Sequence, residues 1–311
     1  MKKFLLLIMV LYSMTLFGET IDIAQSEGTD QSVIESLRPA PASPEVDANV
    51  TIEAIFSSAL NPMTTRRSVR LKRLDGTKSR KGFFGFGPFG SDKSISGTTN
   101  YDPDRHAVTF TPDRPLDVGF YEVSFRHLIT LKPGMTMRIS PIVYRFYVPE
   151  VINGFKLPPE PDEKKNNETL LGIDFNHNGI RDDVERWIII HYAKDPKYPK
   201  TKTAIALQYA WAAQKILENP TMESSKYEDD ALACEYYWFN RETVGWSGFE
   251  FGKFSKENKI FGAPELKDKI FNTKERILRK FDYNAALSGH ILTLRKRELS
   301  ACKTNIDKLG E

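Results

Sequence analysis

Residues 174–185, DFNHNGIRDDVE, carry the spacing in this chain that most directly dictates chemistry. Gly179 stands where the backbone must turn sharply to wrap a small ligand. The oxygen donors around it are the side chains of Asp174, Asn176, Asn178, Asp182 and Glu185, and the backbone carbonyl of Ile180. Carboxylate, amide and carbonyl oxygens are the ligands that Ca²⁺ prefers in proteins. The segment therefore predicts a calcium-binding loop, with Ca²⁺ as the cofactor.

This spacing resembles EF-hand-like loops, and in particular the short calcium loops of thrombospondin type 3-like and dockerin-like repeats in exported proteins. It departs from an ordinary EF-hand because Arg181 stands at the eighth position and no convincing helix precedes the loop. The resemblance therefore implies a solitary structural site that orders the joint between two domains. The alternative interpretation is a bare Asn/Asp/Gly turn before a helix that Asp182 and Asp183 stabilise at its start.

The common catalytic sequence motifs are missing from the chain. The five histidines form no HExxH pair, and neither a GxSxG segment nor a phosphate-binding glycine loop occurs. One acidic cluster lies beside Tyr236, Tyr237 and Trp238, and its members are Glu228, Asp229, Asp230 and Glu235. It suits either a sugar-binding cleft or a solvated helix face beside core aromatic rings. The sequence predicts no catalytic residue.

The N-terminus predicts export. Residues 1–18 have two lysines, a short apolar run and a small residue at the end, as in a signal peptide. The alternative is an uncleaved anchor. No cysteine lies near the cleavage point, so a lipid anchor is not expected. No later segment is long and apolar enough to cross a membrane. Removing Lys2 and Lys3 from 44 basic residues leaves 42 against 41 acidic ones, so no general attraction to nucleic acid is expected.

The chain has two cysteines, Cys234 and Cys302. In an oxidising compartment such a pair predicts one disulfide, which would close a loop of about 70 residues. Two buried free thiols are the alternative.

The part of the chain at 33–149 has the period-two alternation of β-strands, as at Ile52, Ala54 and Phe56, with proline and glycine between the strands. Two blocks, IEAIFSSALNPMTTRRSVRLKR (52–73) and SGTTNYDPDRHAVTFTPDRPLDVGFYEVSF (96–125), resemble the bacterial Ig-like domains of the SbsA surface-layer type. The resemblance implies an antiparallel β-sandwich that serves as a spacer or a binding module.

Between these blocks lies a glycine-rich loop with basic flanks, whose aromatic residues are Phe83, Phe84, Phe86 and Phe89. Exposed, these rings would contact a membrane, a glycan or a partner; the alternative is that they fold back onto the sandwich.

Residues 150–173 are rich in Pro, Lys, Glu and Asn, which predicts a linker. Beyond the loop the apolar residues recur with helical period. The sequence predicts helices at about 184–191, 202–218, 227–240, 266–281 and 287–302. The apolar residues that indicate the fourth of these helices are Leu266, Ile270, Ile277, Leu278 and Phe281. A basic stretch at 267–308 suits a solvated face or a contact with anionic lipid or glycan.

Together these patterns predict a multidomain β + α protein. Its parts are a signal peptide (1–18), a leader (19–32), an Ig-like antiparallel β-sandwich (33–149), a linker (150–173), the calcium loop (174–185) and an all-α domain (183–311). The expected function is a non-catalytic binding or structural protein, periplasmic or at the cell surface, that contacts an envelope protein or glycan. The alternatives are a periplasmic enzyme acting on glycan or peptidoglycan and a secretion or assembly accessory.

Overall fold

The computed structural model describes residues 14–16, 19–21, 33–74, 94–132, 135–291 and 295–311. The chain divides into two compact units, Met1–Pro149 and Glu150–Glu311. The predicted signal peptide and leader lie outside the described residues, apart from the paired strands β1 (Met14–Leu16) and β2 (Glu19–Ile21). The predicted aromatic loop with Phe83, Phe84, Phe86 and Phe89 also lies outside them.

The N-terminal unit is an antiparallel β-sandwich. Its strands are β3 (Ile34–Arg38), β4 (Ile52–Phe56), β5 (Val69–Leu74), β6 (Ser94–Ile95), β7 (Gly97–Asp102), β8 (Ala107–Pro112), β9 (Gly119–Phe125), β10 (Ile129–Lys132), β11 (Met135–Arg138) and β12 (Ile142–Val148), with a short helix α1 (Pro62–Thr65). One four-stranded sheet has the order β3-β4-β8-β7 and the other the order β12-β9-β5-β6. Strands β10 and β11 form a separate two-stranded ribbon, which lies between β9 and β12 in the chain.

Alternation along the strands forms the sandwich core. Ile52, Ala54 and Phe56 on β4 are at most 1% exposed, while the residues between them are half-buried. Val123 on β9 and Phe146 on β12 belong to the same apolar cluster, so the two sheets share one core. Period-two burial of this kind is what an antiparallel sheet with one wet face requires.

The C-terminal unit is mainly helical. It opens with the hairpin β13 (Glu150–Ile152) and β14 (Phe155–Leu157), followed by α2 (Glu163–Glu168), α3 (Asp182–Tyr192), α4 (Pro199–Glu218), α5 (Ser225–Glu242), α6 (Gly248–Glu257), α7 (Pro264–Ile270) and α8 (Lys274–Leu287). Short 3-10 turns lie at Met222–Ser224, Leu299–Ala301 and Ile306–Lys308. No helix among the described residues is long and apolar enough to span a bilayer. The mixed β + α fold class is confirmed.

Three expectations about this unit need correction. Residues 150–173 hold a hairpin and a helix where a linker was expected, and they belong to the C-terminal unit. The helix expected at 266–281 is two helices, α7 and α8. The helix expected at 287–302 is wrong for the described residues, because α8 ends at Leu287 and Ile291 is 94% exposed.

The apolar residues that indicated α8 are largely exposed. Ile277, Leu278 and Phe281 are 44%, 50% and 61% exposed. Arg276 and Tyr283 face inward from the same helix instead. The apolar residues of α8 therefore lie on its outer face, which periodicity alone does not distinguish from the inner one.

The disulfide between Cys234 and Cys302 is present, so the prediction of one bridge is confirmed. Cys234 lies on α5 and Cys302 follows the 3-10 turn at Leu299–Ala301.

Candidate metal centre

The loop at 174–185 is closed at its two ends and continues directly into α3. The Asp182 N–H donates to the Ile173 carbonyl at 2.8 Å, which brings the loop ends together. Gly179 has a φ of +83°, a conformation that costs glycine little and other residues more. Because α3 begins at Asp182, the last two predicted ligands lie in its first turn. This places their negative charge at the positive end of the helix dipole.

The first half of the loop is ordered by its own side-chain oxygens. Asp174 accepts hydrogen bonds from the N–H groups of Asn178 at 3.2 Å and Gly179 at 2.8 Å. Asn178 Oδ1 accepts from the Ile180 N–H at 2.8 Å, and Asn176 Oδ1 accepts from the Asn178 N–H at 3.2 Å. These short-range bonds hold the side-chain oxygens of the first half on a tight backbone turn.

The second half of the loop buries two carboxylates. Asp182 is 1% exposed and Glu185 is 5% exposed. Asp182 accepts from the Phe175 N–H through both carboxylate oxygens, at 3.0 and 3.1 Å. Glu185 Oε2 accepts from Asn176 Nδ2 at 3.3 Å. Both side chains therefore point inward, toward the first half of the loop.

Negative charge accumulates around Asp182. Burial, together with the nearby carboxylates of Asp174 and Glu185, raises the pKa of its carboxyl to about 8. Burial also raises the pKa of Asp174. Within the described part of the chain no Lys or Arg side chain forms an ion pair with Asp182. A buried carboxylate without a cationic partner is costly, and a bound cation or a proton relieves that cost.

Arg181 fastens the loop to the helical core. Its side chain is 1% exposed and pairs with Asp183. Its guanidinium donates to the carbonyls of Lys269 at 2.7 Å and Ile270 at 3.1 Å, at the end of α7. The unusual residue at the eighth loop position therefore anchors the loop within the C-terminal unit. Sequence reasoning noted Arg181 only as a departure, because its acceptors lie 88 and 89 residues away.

Gly172 packs closely against the Arg181 side chain, which leads to a testable prediction. A Cβ atom at this position would overlap Cδ of Arg181, and the φ of Gly172 is +71°. We expect Gly172→Ala to lower the free energy of unfolding by about 2–4 kcal/mol, combining backbone strain with overpacking. Gly154→Ala is the matched control, because Gly154 has a φ of +86° and nothing within 4 Å of an added Cβ. The control is expected to cost about 1 kcal/mol in urea denaturation, and equal losses in the two variants would contradict the packing argument.

The predicted calcium ligands all lie in this one loop, but their carboxylates are not close enough together to coordinate one ion by themselves. Nowhere in the described residues do three or more His, Cys, Asp or Glu side chains meet closely enough to hold a metal ion. A site here would also need the amide oxygens of Asn176 and Asn178 and the Ile180 carbonyl. The calcium site therefore stays a prediction. Sequence reasoning missed Phe175, whose backbone N–H orients Asp182.

The acidic cluster on α5 is used structurally. Glu228 pairs with Lys280 at 2.7 Å. Glu235 is 1% exposed and accepts the N–H of Phe261 at 2.8 Å. Trp238 is fully buried. Glu228, Glu235 and Trp238 thus pair or pack within the helical unit, which favours the structural interpretation of the cluster.

A shallow depression lies elsewhere in the same unit, beside α3 and α7. Its volume is about 440 Å³, and it is lined by Trp187, His191, Glu265, Asp268 and Lys269. Trp187 and His191 stack with their ring centroids 4.4 Å apart, and His191 Nε2 lies 3.9 Å from Glu265 Oε2. The two residues are four positions apart on α3, which places their rings on one helix face.

Comparison with known proteins yields only distant similarities. No protein-family model matches the chain, and no curated protein matches it. Among solved structures, PcoC, a copper resistance protein from Escherichia coli, is similar at 19% identity and a TM-score of 0.27, covering 37% of this chain and 97% of that one. CopC from Methylosinus trichosporium OB3b is similar at 18% identity and a TM-score of 0.25, covering 38% and 92%. Domains 1–6 of surface layer protein SbsC are similar at 13% identity and a TM-score of 0.25, covering 38% and 14%. TM-scores at this level carry no argument about function.

Proposed function

We propose that the chain is an exported, non-catalytic binding or structural protein whose C-terminal unit holds one Ca²⁺ in the loop at 174–185. The observation that supports the calcium site is the burial of the Asp182 carboxylate among other carboxylates. This carboxylate is 1% exposed, three further loop carboxylates act on it electrostatically, and no described Lys or Arg pairs with it. A divalent cation supplies the missing positive charge at this position.

The donor set of the loop favours calcium over other metals. Its ligands would be the side chains of Asp174, Asn176, Asn178, Asp182 and Glu185 and the Ile180 carbonyl. All of these are oxygen donors, whereas copper and zinc sites are usually built with sulfur or imidazole. Magnesium demands near-ideal octahedral geometry and keeps several waters, so a loop that offers many protein oxygens suits the larger ion.

The role of the ion would be structural. It would offset the repulsion among the loop carboxylates and fix the start of α3 against α7, which Arg181 already contacts. Because the loop lies within the C-terminal unit, its effect is expected on the stability of that unit.

The proposal of export has two supports. The N-terminus has the pattern of a signal peptide, and the disulfide suits an oxidising compartment such as the periplasm or the cell surface. In this setting the sandwich would be an Ig-like module of the SbsA type, and the partner an envelope protein or a glycan.

Calcium is expected to stabilise the chelator-treated protein. Extracellular calcium sites bind with a dissociation constant on the order of 10⁻⁴–10⁻³ M. At about 10 mM Ca²⁺ this corresponds to a gain of about 1.4–2.7 kcal/mol, or roughly 3–11 °C in Tm. All four tryptophans lie in the C-terminal unit, so a melting curve followed by tryptophan fluorescence reports on that unit alone. Trp211 lies 3.0 Å from where a Cβ atom at Gly179 would be, which makes its emission sensitive to the loop.

Two variants separate calcium binding from a bare turn. Asp182→Asn should abolish the calcium-dependent rise in Tm and leave the metal-free protein as stable as the parent or more so, because a buried charge is removed. Glu185→Gln should weaken the calcium effect as well. Glu163→Gln, an exposed change outside the loop, is the control and should behave like the parent. If the parent shows neither calcium-dependent heat in calorimetry nor a rise in Tm, the calcium site is refuted.

A further inference from the structure

A second charged site lies in the sandwich, at the base of the β10-β11 ribbon. A cavity of about 340 Å³ opens there, where β9 ends and β12 begins. It is lined by Arg126, His127, Arg138, Ile139, Ser140 and Pro141. Two guanidinium groups and one imidazole thus line the same cavity, and no carboxylate is among the lining residues that the structure describes.

The backbone around the cavity is fixed. The Ile139 N–H donates to the Leu128 carbonyl at 2.9 Å, and both side chains are buried. The Arg126 N–H donates to the Ser68 carbonyl at 2.8 Å. Phe125 and Ile142, the adjoining ends of β9 and β12, are paired in register. The charged side chains therefore project from a rigid frame, which reduces the entropy that a ligand must overcome.

Most of the side-chain hydrogen-bonding groups that line the cavity are donors. Arg138 Nη2 lies 3.0 Å from His127 Nδ1. Because a guanidinium only donates, Nδ1 must accept, and the neutral imidazole then carries its proton on Nε2. Arg126, the other N–H groups of Arg138 and the Ser140 hydroxyl add further donors. In the described part of the chain no carboxylate forms an ion pair with Arg126 or Arg138.

We propose that this cavity binds a phosphate group, either of a soluble phosphate ester or of a lipid headgroup. Two guanidinium groups present paired N–H donors that match the oxygens of a phosphate, and each such contact is charge-assisted. The volume exceeds that of a bare phosphate ion, so there is room for the first atoms of an attached group. This site is in a different unit from the calcium loop and does not depend on it.

Calorimetry with inorganic phosphate as the probe tests the proposal on the full chain. We expect the parent to bind phosphate, and Arg138→Gln and Arg126→Gln each to weaken binding about tenfold or more. Arg138→Lys keeps the charge but loses the fork of donors, and should lie between the parent and Arg138→Gln. Arg114→Gln, another exposed arginine of the same unit, is the control and should leave binding unchanged. Melting curves by circular dichroism check that each variant is folded.

Vesicles distinguish the two sources of phosphate. Parent and variants are mixed with vesicles of phosphatidylcholine alone or with about one-third phosphatidylglycerol. Binding to the mixed vesicles that Arg138→Gln abolishes assigns the site to a lipid headgroup. Binding of inorganic phosphate without vesicle binding assigns it to a soluble ester. Absence of phosphate binding by the parent, or equal weakening by Arg114→Gln, overturns the proposal.

Discussion

Replacing Arg276 with methionine is expected to lower the free energy of unfolding of the C-terminal unit by about 3–5 kcal/mol. The side chain is fully buried. Its N–H groups donate to the carbonyls of Asn166, Thr169 and Leu170 and to the side-chain oxygens of Asn167 and Asn272. Methionine has a similar length but donates no hydrogen bond, so the variant leaves buried carbonyls without partners.

The position of these acceptors explains why a cation is needed. The carbonyls lie at the C-terminal end of α2, where the helix dipole is negative and backbone oxygens lack partners within the helix. Burial, together with the nearby positive charge of Arg181, lowers the pKa of Arg276 to about 10. The group is still charged at neutral pH, so the bonds to neutral oxygens are charge-assisted.

Arg279 provides a matched control on the same helix. It is partly exposed and donates to the carbonyls of Leu217 at 3.1 Å and Glu218 at 3.3 Å. Arg279→Met is expected to cost about 1 kcal/mol or less, because water replaces the lost donors. Urea denaturation followed by tryptophan fluorescence measures both variants in the unit that contains α8. Similar losses for Arg276→Met and Arg279→Met would show that burial of the guanidinium is not the cause.

The segment that Arg276 holds shows why sequence reasoning misjudged residues 150–173. Their polar composition suits a linker, and no local pattern indicates burial. Asn166 is nevertheless 2% exposed, because Arg276 binds its carbonyl from 110 residues away. Interactions at such a separation leave no trace in a window of ten or twenty residues. Arg276 itself gave no local signal, because it is one of several charged residues on α8.

The sandwich was predictable because its signal is local in the sequence. Strands β4 and β12 bury alternate side chains, and this period is visible in any short window of the sequence. The loop at 174–185 was recognisable because its donors are adjacent in the chain. The phosphate cavity was missed because Arg126 and Arg138 come from opposite sides of a ribbon. Basic residues on both flanks of a predicted hairpin were the available signal.

Removing the disulfide is expected to destabilise the C-terminal unit by about 4 kcal/mol, which corresponds to roughly 8–16 °C in Tm. The bridge joins residues 68 positions apart, so it restricts a long loop of the unfolded chain. The variant is Cys234→Ala with Cys302→Ala, measured by thermal denaturation. Parent protein treated with a reductant should show a similar loss, because both lack the same cross-link.

The contacts around Cys302 indicate whether the loss of stability arises in the folded or in the unfolded state. Gln208 is 4% exposed, donates to the Ala301 carbonyl at 2.8 Å and accepts from the Lys303 N–H at 3.0 Å. These two bonds flank Cys302 and hold the segment to α4 without the disulfide. We therefore expect the folded variant to keep the segment in place, and the loss to arise mainly in the unfolded state.

Hydrogen exchange at the Lys303 amide tests this account. If the cross-link acts through the unfolded chain, the amide of the double variant should stay protected under native conditions, and its exchange should follow the lower global stability. Adding Gln208→Ala to the double variant should then release the segment, while Gln208→Ala in the disulfide-bonded parent should not. Rapid exchange in the double variant alone would show that the bridge holds the folded segment in place, and would contradict the entropic explanation.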